Sequence, residues 1–289
     1  MTGVLVTVAA IFLLGGALIL AAWAVPAGRA TAASLWPFYR SEFLIVGAFL
    51  LPAAAGGYVF LALLLAMSLR GQWEFFRLFG QSWKAPLPFL AMAAGVAVVG
   101  IAALVPERLA AALAIAALGL LVLGRLRSAV TWTAVASLAL PVLPLALMAL
   151  ARAQPQGFLW LVLAQAVVET NDSFALVLGK LIGRTQIFPR LSPGKTLAGL
   201  VCGLLAGLGA GLAVAHLLLG LAFLPALTCA VVALAAGLAG DLALSALKRA
   251  RGVKDFPPLA LLHGGLLDIY DSLLFAVPAL LLARSVMGL

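Results

Sequence analysis

The sequence predicts an all-α, polytopic integral membrane protein of about nine transmembrane helices. Three observations carry this. Hydrophobic residues make up 65% of the 289 residues and charged residues only 9%, against roughly 25% charged in an ordinary soluble domain. A soluble fold of this size cannot cover itself with so few charges, and disordered, collagen-like or disulfide-scaffold chains have other compositions. The apolar residues fall in runs of the roughly 20 residues that a spanning helix needs. Prolines at 26, 37, 86, 88, 106, 155, 189, 193, 257 and 258 punctuate those runs at or near their ends, where proline is tolerated.

In chain order the expected helices are 3–25, 43–69, 86–105, 108–124, 129–151, 156–182, 196–219, 221–247 and 259–284. The first carries no positive segment ahead of it and is too long for a signal-peptide core, so it is read as a span. The shortest separations are the hairpin at Pro106–Arg108 and the split near Gly220. Residues 1–155 form an N-terminal group that packs and gives lipid access. Residues 156–289 form a C-terminal group with loops 183–195 and 248–258. Thirteen of the 18 basic residues lie in the loops after helices two, four, six and eight. The positive-inside rule puts those loops, and with nine helices the N-terminus, in the cytoplasm. It also accounts for the net charge of +9. No basic stripe interleaved with aromatics is present, so nucleic acid is not an expected partner. Cys202 and Cys229 sit in apolar stretches and read as buried thiols, without disulfide or metal spacing.

Acids are unevenly placed. The first half holds Glu42, Glu74 and Glu107, all read as lying near helix ends or in loops. The second half holds Glu169, Asp172, Asp241, Asp255, Asp268 and Asp271, most of them inside or beside apolar runs. A charge at a helix centre costs about 2.5–3.5 kcal/mol even on the lenient insertion scale, so these acids need partners. Salt bridges are one answer, and a hard cation such as Mg²⁺ is another. Glu169 and Asp172 share a face of helix six, as do Asp268 and Asp271 on helix nine. Asp241, Ser245 and Lys248 share a face as well, which on its own reads as a snorkelling lysine beside a local acid. Ser192-Pro193-Gly194-Lys195-Thr196 opens helix seven and would offer hydroxyls, amides and a cation to an anion. Gly199, Gly203, Gly207 and Gly211 follow as a small-residue stripe for close helix packing, within the chain or across a homodimer. No internal repeat supports an inverted-repeat transporter.

The stretch Ser245-x2-Lys248-Arg249-x4-Lys254-Asp255-x7-His263-Gly264-Gly265-x2-Asp268-x2-Asp271-Ser272 resembles the C-terminal pattern of phosphatidate cytidylyltransferases (CDP-diacylglycerol synthases). Asn171-Asp172-Ser173, with Gly179-Lys180 and Gly183-Arg184, is similar to an earlier motif of that family. So is Pro189-x-Leu191-Ser192-Pro193-Gly194-Lys195-Thr196, and Trp73-Glu74 is similar to a weaker N-terminal element. The resemblance covers residues 169–275 well and the first half mainly by hydropathy.

The resemblance implies a multi-pass protein of the bacterial cytoplasmic membrane with its active site in the C-terminal half near the cytoplasmic face. It implies a reaction of CTP with phosphatidic acid that yields CDP-diacylglycerol and pyrophosphate, the lipid phosphate attacking the α-phosphorus directly. One or two Mg²⁺ ions would be held by Asp172, Asp255, Asp268 and Asp271, with Lys254 beside them. Ser192, Lys195, Thr196, Lys248, Arg249, His263, Gly264 and Gly265 would contact CTP or the lipid phosphate. Transfer between two anions is mainly a matter of positioning and cations. The chain departs from the family pattern at Leu261 and Leu262 (usually Pro-Gly), Ile269 (usually Arg) and Ala198 (commonly Glu). These leave open a divergent member with altered substrate or lost activity. A CTP-dependent polyprenol or phytol kinase is a further alternative.

Overall fold

The structure, a computed structural model, describes residues 2–25, 29–81, 86–123, 129–189, 191–259 and 264–289. Its helices are α1 (Thr2–Ala24), α2 (Arg29–Ala55), α3 (Gly57–Leu78), α4 (Leu87–Leu104), α5 (Leu109–Leu123), α6 (Ala129–Ser137), α7 (Leu143–Ala153), α8 (Gly157–Ile182), α9 (Leu197–Leu217), α10 (Phe223–Ala250), α11 (Leu266–Ile269) and α12 (Asp271–Met287). A π-helical turn over Leu138–Val142 joins α6 to α7 at Pro141, so the two make one kinked rod. Among the described residues seven helical rods are long and apolar enough to cross a membrane: 32–55, 57–78, 87–104, 129–153, 157–182, 197–217 and 223–250. The all-α membrane architecture expected from the sequence holds. The exception is a small antiparallel hairpin, β1 (Gln186–Phe188) with β2 (Ser192–Thr196).

The segmentation changes at two places: the helix expected over 259–284, with Asp268 and Asp271 on one face, is the short α11 followed by a separate α12 that begins at Asp271, and a second change lies near the N-terminal end. The single helix expected over 43–69 is two, broken between α2 and α3. The cause is Gly56 and Gly57, both at positive φ (66° and 50°), a conformation only glycine adopts cheaply. Arg152 seals the break: its Nε donates to the Ala53 carbonyl at 2.7 Å. A Cβ on Gly56 would lie 2.5 Å from the same guanidinium. Hydropathy reads straight through this break because both sides are apolar. It also misses the first half of α2, where Arg29, Pro37, Arg40 and Glu42 look like a loop. Tertiary contacts hold that stretch helical: Tyr39 donates its hydroxyl hydrogen to the Phe12 carbonyl at 2.6 Å, and Lys180 sits over the Phe38 ring.

The additional helix reverses the placement of the chain start. Gly3 packs against Leu218, just past the far end of α9, whereas the hairpin lies at the near end. Ile19 and Leu35 pack with Val177 towards the hairpin end of α8. The N-terminus therefore lies at the end of the bundle opposite the hairpin and the 251–259 turn, not beside them as nine helices required.

The glycine stripe serves internal packing. A Cβ on Gly203 would stand 2.6 Å from the Asn171 carbonyl oxygen, and one on Gly199 would stand 2.5 Å from that of Ala175. α9 is thus pressed backbone to backbone on α8. Gly203→Ala is expected to lower the thermal stability of detergent-solubilised protein, at a cost of about 1–3 kcal/mol from overpacking. Gly209, one residue type on the same helix with open space at its Cα, is the control, and Gly209→Ala should not destabilise. Equal melting temperatures for the two variants would refute the packing.

Candidate functional site

The site is assembled at the hairpin end of α8, α10 and α12. α8 exposes Asp172 there, its Oδ1 accepting a hydrogen bond from Asn171 at 2.8 Å. The close approach of α9 to α8 brings the hairpin over this end. Thr196 caps α9, its hydroxyl oxygen accepting from the Gly199 amide at 3.2 Å. The Leu197 amide donates to the Thr185 carbonyl at 2.9 Å. With the hairpin so fixed, Lys195 pairs with Asp241 of α10, and Ser245 donates to the other oxygen of Asp241 at 3.3 Å.

One turn further along α10, Lys248 is buried and pairs with Asp268 of α11. The expected Lys248–Asp241 neighbourhood on one helix face is therefore replaced by two pairs that reach to other elements. Asp268 has a second task. Its Oδ2 accepts from the amides of Phe256 (2.7 Å) and Gly265 (2.9 Å), so both of these residues are tied to it. Gly264 takes φ 94°, and a Cβ there would press on Asp268. Asp271 opens α12 and is buried, its Oδ1 accepting from the Ser272 amide at 2.6 Å.

α11 is anchored from the other half of the chain. Glu74 of α3 is fully buried. Its two oxygens accept from the amides of Leu266 (2.8 Å) and Leu267 (2.9 Å), and Arg70 donates to it at 2.6 Å. Gly265 must be glycine because a Cβ would lie 2.7 Å from Glu74 Oε2 and 2.6 Å from the Phe256 Cβ. What the glycine pair admits so closely is the protein's own glutamate.

The residues singled out in the sequence fall into groups. Asp172, Lys195, Lys248, Asp268 and Asp271 converge, together with Asp241. The charges of Asp172, Asp241 and Asp271 act on one another, and Lys195 and Lys248 act on them in turn. Thr196 and Gly265 shape the site from behind. Arg249 is used structurally, donating to the Leu191 carbonyl at 3.2 Å and the Val253 carbonyl at 3.0 Å, and so ties the hairpin tip to the turn after α10. Ser192 is half-buried in the hairpin. Lys254 and Asp255 are exposed on that turn, and no contact carries them into the cluster. His263, Leu261 and Leu262 lie outside the described residues. Among the described residues no three His, Cys, Asp or Glu side chains form a ready metal-ligating group. Asp268 is occupied by Lys248 and two amides, and Asp255 stands outside.

Three acids were placed or valued wrongly by sequence alone. Asp241 was read as a local partner of a snorkelling lysine. Glu74 had no role beyond a weak motif. Glu42, expected near a helix end, lies within α2 and lines a cavity with Glu169 and Asp172. Spacing along one helix reports which residues share a face, but not which other helix that face meets.

Chemically, the cluster alternates carboxylates and ammonium groups at a helix-bundle end, an arrangement that can bind a polyanion and a cation together. The chain matches the Cytidylyltransferase family over residues 39–287. It is 39% identical over 122 residues to the uncharacterized protein YnbB of Escherichia coli (strain K12), covering 42% of this chain and 41% of that protein. It is 35% identical over 108 residues to the phosphatidate cytidylyltransferase of Aquifex aeolicus (strain VF5), covering 37% and 40% of the two chains. It is 35% identical over 127 residues to that of Bacillus subtilis (strain 168), covering 43% and 46%. The matched segments thus span less than half the length of these relatives. With the family pattern running from α2 to the end of α12, through every element that builds the cluster, this chain belongs to the cytidylyltransferase family.

Proposed function

We propose that the protein is a membrane nucleotidyltransferase that joins CTP to phosphatidate, giving CDP-diacylglycerol and pyrophosphate. The observation that carries this reading is the convergence of Lys195, Asp241, Lys248, Asp172 and Asp271 from four separate elements onto one bundle end. That end adjoins the basic loops, which the positive-inside rule assigns to the cytoplasm where CTP is; the membrane would be the bacterial cytoplasmic one.

Lys195 is the mobile cation of the site. It is 27% exposed on a hairpin, so it can leave Asp241 for a phosphoryl oxygen of CTP, and the Thr196 cap keeps the hairpin in register as it does so. Lys248 stays with Asp268 and holds the turn that presents Asp271. Asp172, Asp241 and Asp271 carry hard carboxylate oxygens, the donor type that Mg²⁺ selects, and would have to draw closer together to hold the ion. Bound there, the ion would supply neutralisation of the triphosphate charge. No side-chain nucleophile is needed, because the lipid phosphate is one. The two reacting anions are brought together by position and fixed charge.

A second reading concerns the acceptor. Ile269 packs against the apolar core from α11, at a position where the resemblance leads one to expect arginine, so the site has one cation fewer for a lipid phosphate. One assay separates the readings. Purified protein is given CTP labelled in the cytidine, Mg²⁺ and phosphatidate, and the lipid is extracted. Label in the organic phase together with free pyrophosphate supports the proposal. Label left in water as CDP, with a phosphorylated lipid, means a kinase, and no turnover on phosphatidate means another acceptor. Asp271→Asn is expected to reduce label transfer on the order of 10²–10³-fold, the loss typical of one electrostatic stabiliser. Unchanged transfer would remove Asp271 from the site.

A further inference from the structure

The hairpin that carries Lys195 is held at its base and at its tip. At the base the Leu197 amide donates to the Thr185 carbonyl at 2.9 Å. Thr196 sits there in a seat that only glycine leaves open: a Cβ on Gly183 would stand 2.2 Å from Thr196 Oγ1, and one on Gly179 3.1 Å. At the tip the Leu191 amide donates to the Phe188 carbonyl at 3.2 Å, and the Leu191 carbonyl accepts from Arg249 Nε at 3.2 Å. Lys195 lies between these two points, in β2.

Arg249 reaches the tip from the end of α10. Its Nη1 donates to the Val253 carbonyl at 3.0 Å, and the Val253 amide donates to the Lys248 carbonyl at 3.1 Å. The guanidinium is thus a brace with one arm on the hairpin and one on the turn that follows α10. Its planar fork of N–H groups suits two separate carbonyls, whereas a lysine ammonium has neither the second nitrogen nor the fork. Among the described residues no acid pairs with Arg249. The preceding residue, Lys248, is committed to Asp268. Two consecutive residues of α10 therefore hold the hairpin and α11.

We infer that Arg249 is a positioning residue that acts through Lys195: it holds the hairpin tip so that the Lys195 ammonium stays beside Asp241, where the nucleotide phosphate arrives. The resemblance implied that Arg249 itself contacts CTP or the lipid phosphate. Its bonds to two backbone carbonyls give it to the hairpin instead. The second arm adds a coupling. Because it grips Val253, a shift of the tip is passed to the turn that leads to Asp268 and Asp271, so the cation that meets the nucleotide and the carboxylates opposite it move together. This use of the brace rests on the proposed function; the brace itself does not.

The test compares Arg249→Gln with Arg249→Lys, which keeps the charge and loses the fork. Amide hydrogen exchange of the purified protein in detergent is read over the hairpin, with Gly157–Ile182 as internal reference. Both variants are expected to speed exchange in the hairpin about tenfold or more, the loss of a hydrogen bond from a charged donor, and to leave the reference unchanged. Both should also lower kcat/KM for CTP by about ten- to a hundredfold. In a Lys195→Gln background, Arg249→Gln should then cost almost nothing further, since the two act as one unit. A phosphate ligand predicts otherwise: unchanged exchange, with Arg249→Lys close to wild type in transfer, would overturn the inference. Additive losses with Lys195→Gln would overturn it too, by giving Arg249 a task of its own. Faster exchange in the reference as well would make Arg249 a general prop of the fold and would also count against it. The exchange readout needs no turnover, so a wild type that fails to transfer would sink the proposed reaction and still leave the brace to be judged.

Discussion

Glu74→Ala is expected to unseat α11 and to lower the proposed cytidylyl transfer by about two orders of magnitude or more, although Glu74 is separated from Asp271 by almost 200 residues of sequence. Glu74 is fully buried and accepts from Leu266, Leu267 and Arg70. Arg70 in turn donates to the carbonyls of Pro257 (2.7 Å) and Pro258 (3.2 Å). One carboxylate therefore fixes both the start of α11 and, through Arg70, the turn that precedes it. Alanine would leave two buried amides without acceptors, at about 1–3 kcal/mol each, and an arginine without its anion. Cells can relieve that only by letting α11 move, and α11 carries Asp268 and leads directly into Asp271. A displacement of about 1 Å at a reacting centre can cost about 10²-fold. The check is transfer activity beside a thermal melt, with Glu74→Gln as the intermediate case: it keeps the shape but has one acceptor oxygen for two amides. An alanine variant with wild-type melting and turnover would show that α11 is held by something else.

How far the sequence foretold this arrangement depends on the kind of information each feature needs. Membrane class, helix-rich architecture and most helix ends are local properties of composition and hydropathy, and they were legible. The α2–α3 break was not, because two glycines inside one apolar run carry no hydropathy signal. Their effect depends on Arg152 arriving from another rod. The same miss carried the chain start to the wrong end of the bundle, since orientation by loop charge inherits any error in helix count. Within the site, Asp172, Lys195, Lys248, Asp268 and Asp271 could be picked out because charges in apolar surroundings are conspicuous. Their pairing could not. Lys248 and Asp241 share a helix face, yet each finds its partner elsewhere, on α11 and on the hairpin. Glu74 shows the limit most plainly. Its role exists only where α3 meets α11, and nothing within its own helix distinguishes it from a surface glutamate beside Arg70.

Lys248→Met is expected to destabilise the protein by about 3–5 kcal/mol, the cost of breaking a buried ion pair from one side, and to abolish transfer. The side chains of Lys248 and Asp268 are only 8% and 11% exposed, so neither charge has water to fall back on. Methionine keeps the length and apolar contacts of the lysine stem, including those beside Phe256, whose ring lies 5.5 Å from Nζ. What it removes is the cation opposite Asp268 Oδ1, while Oδ2 remains committed to the Phe256 and Gly265 amides. The carboxylate cannot turn away without surrendering those bonds, so the turn and α11 must give way together. If the loss arises from the uncompensated charge, Asp268→Asn should partly rescue stability in the Lys248→Met background while activity stays lost. Asparagine still offers an oxygen to the amides and has no charge to strand. The coupling between the two substitutions should then fall in the range of about 0.5–3 kcal/mol found for contacting residues. A snorkelling lysine at the membrane surface predicts the opposite pattern: a change within about 0.5 kcal/mol for Lys248→Met and additive effects in the double variant. Additivity would separate Lys248 from Asp268 and leave the turn before α11 without the ion pair that holds it.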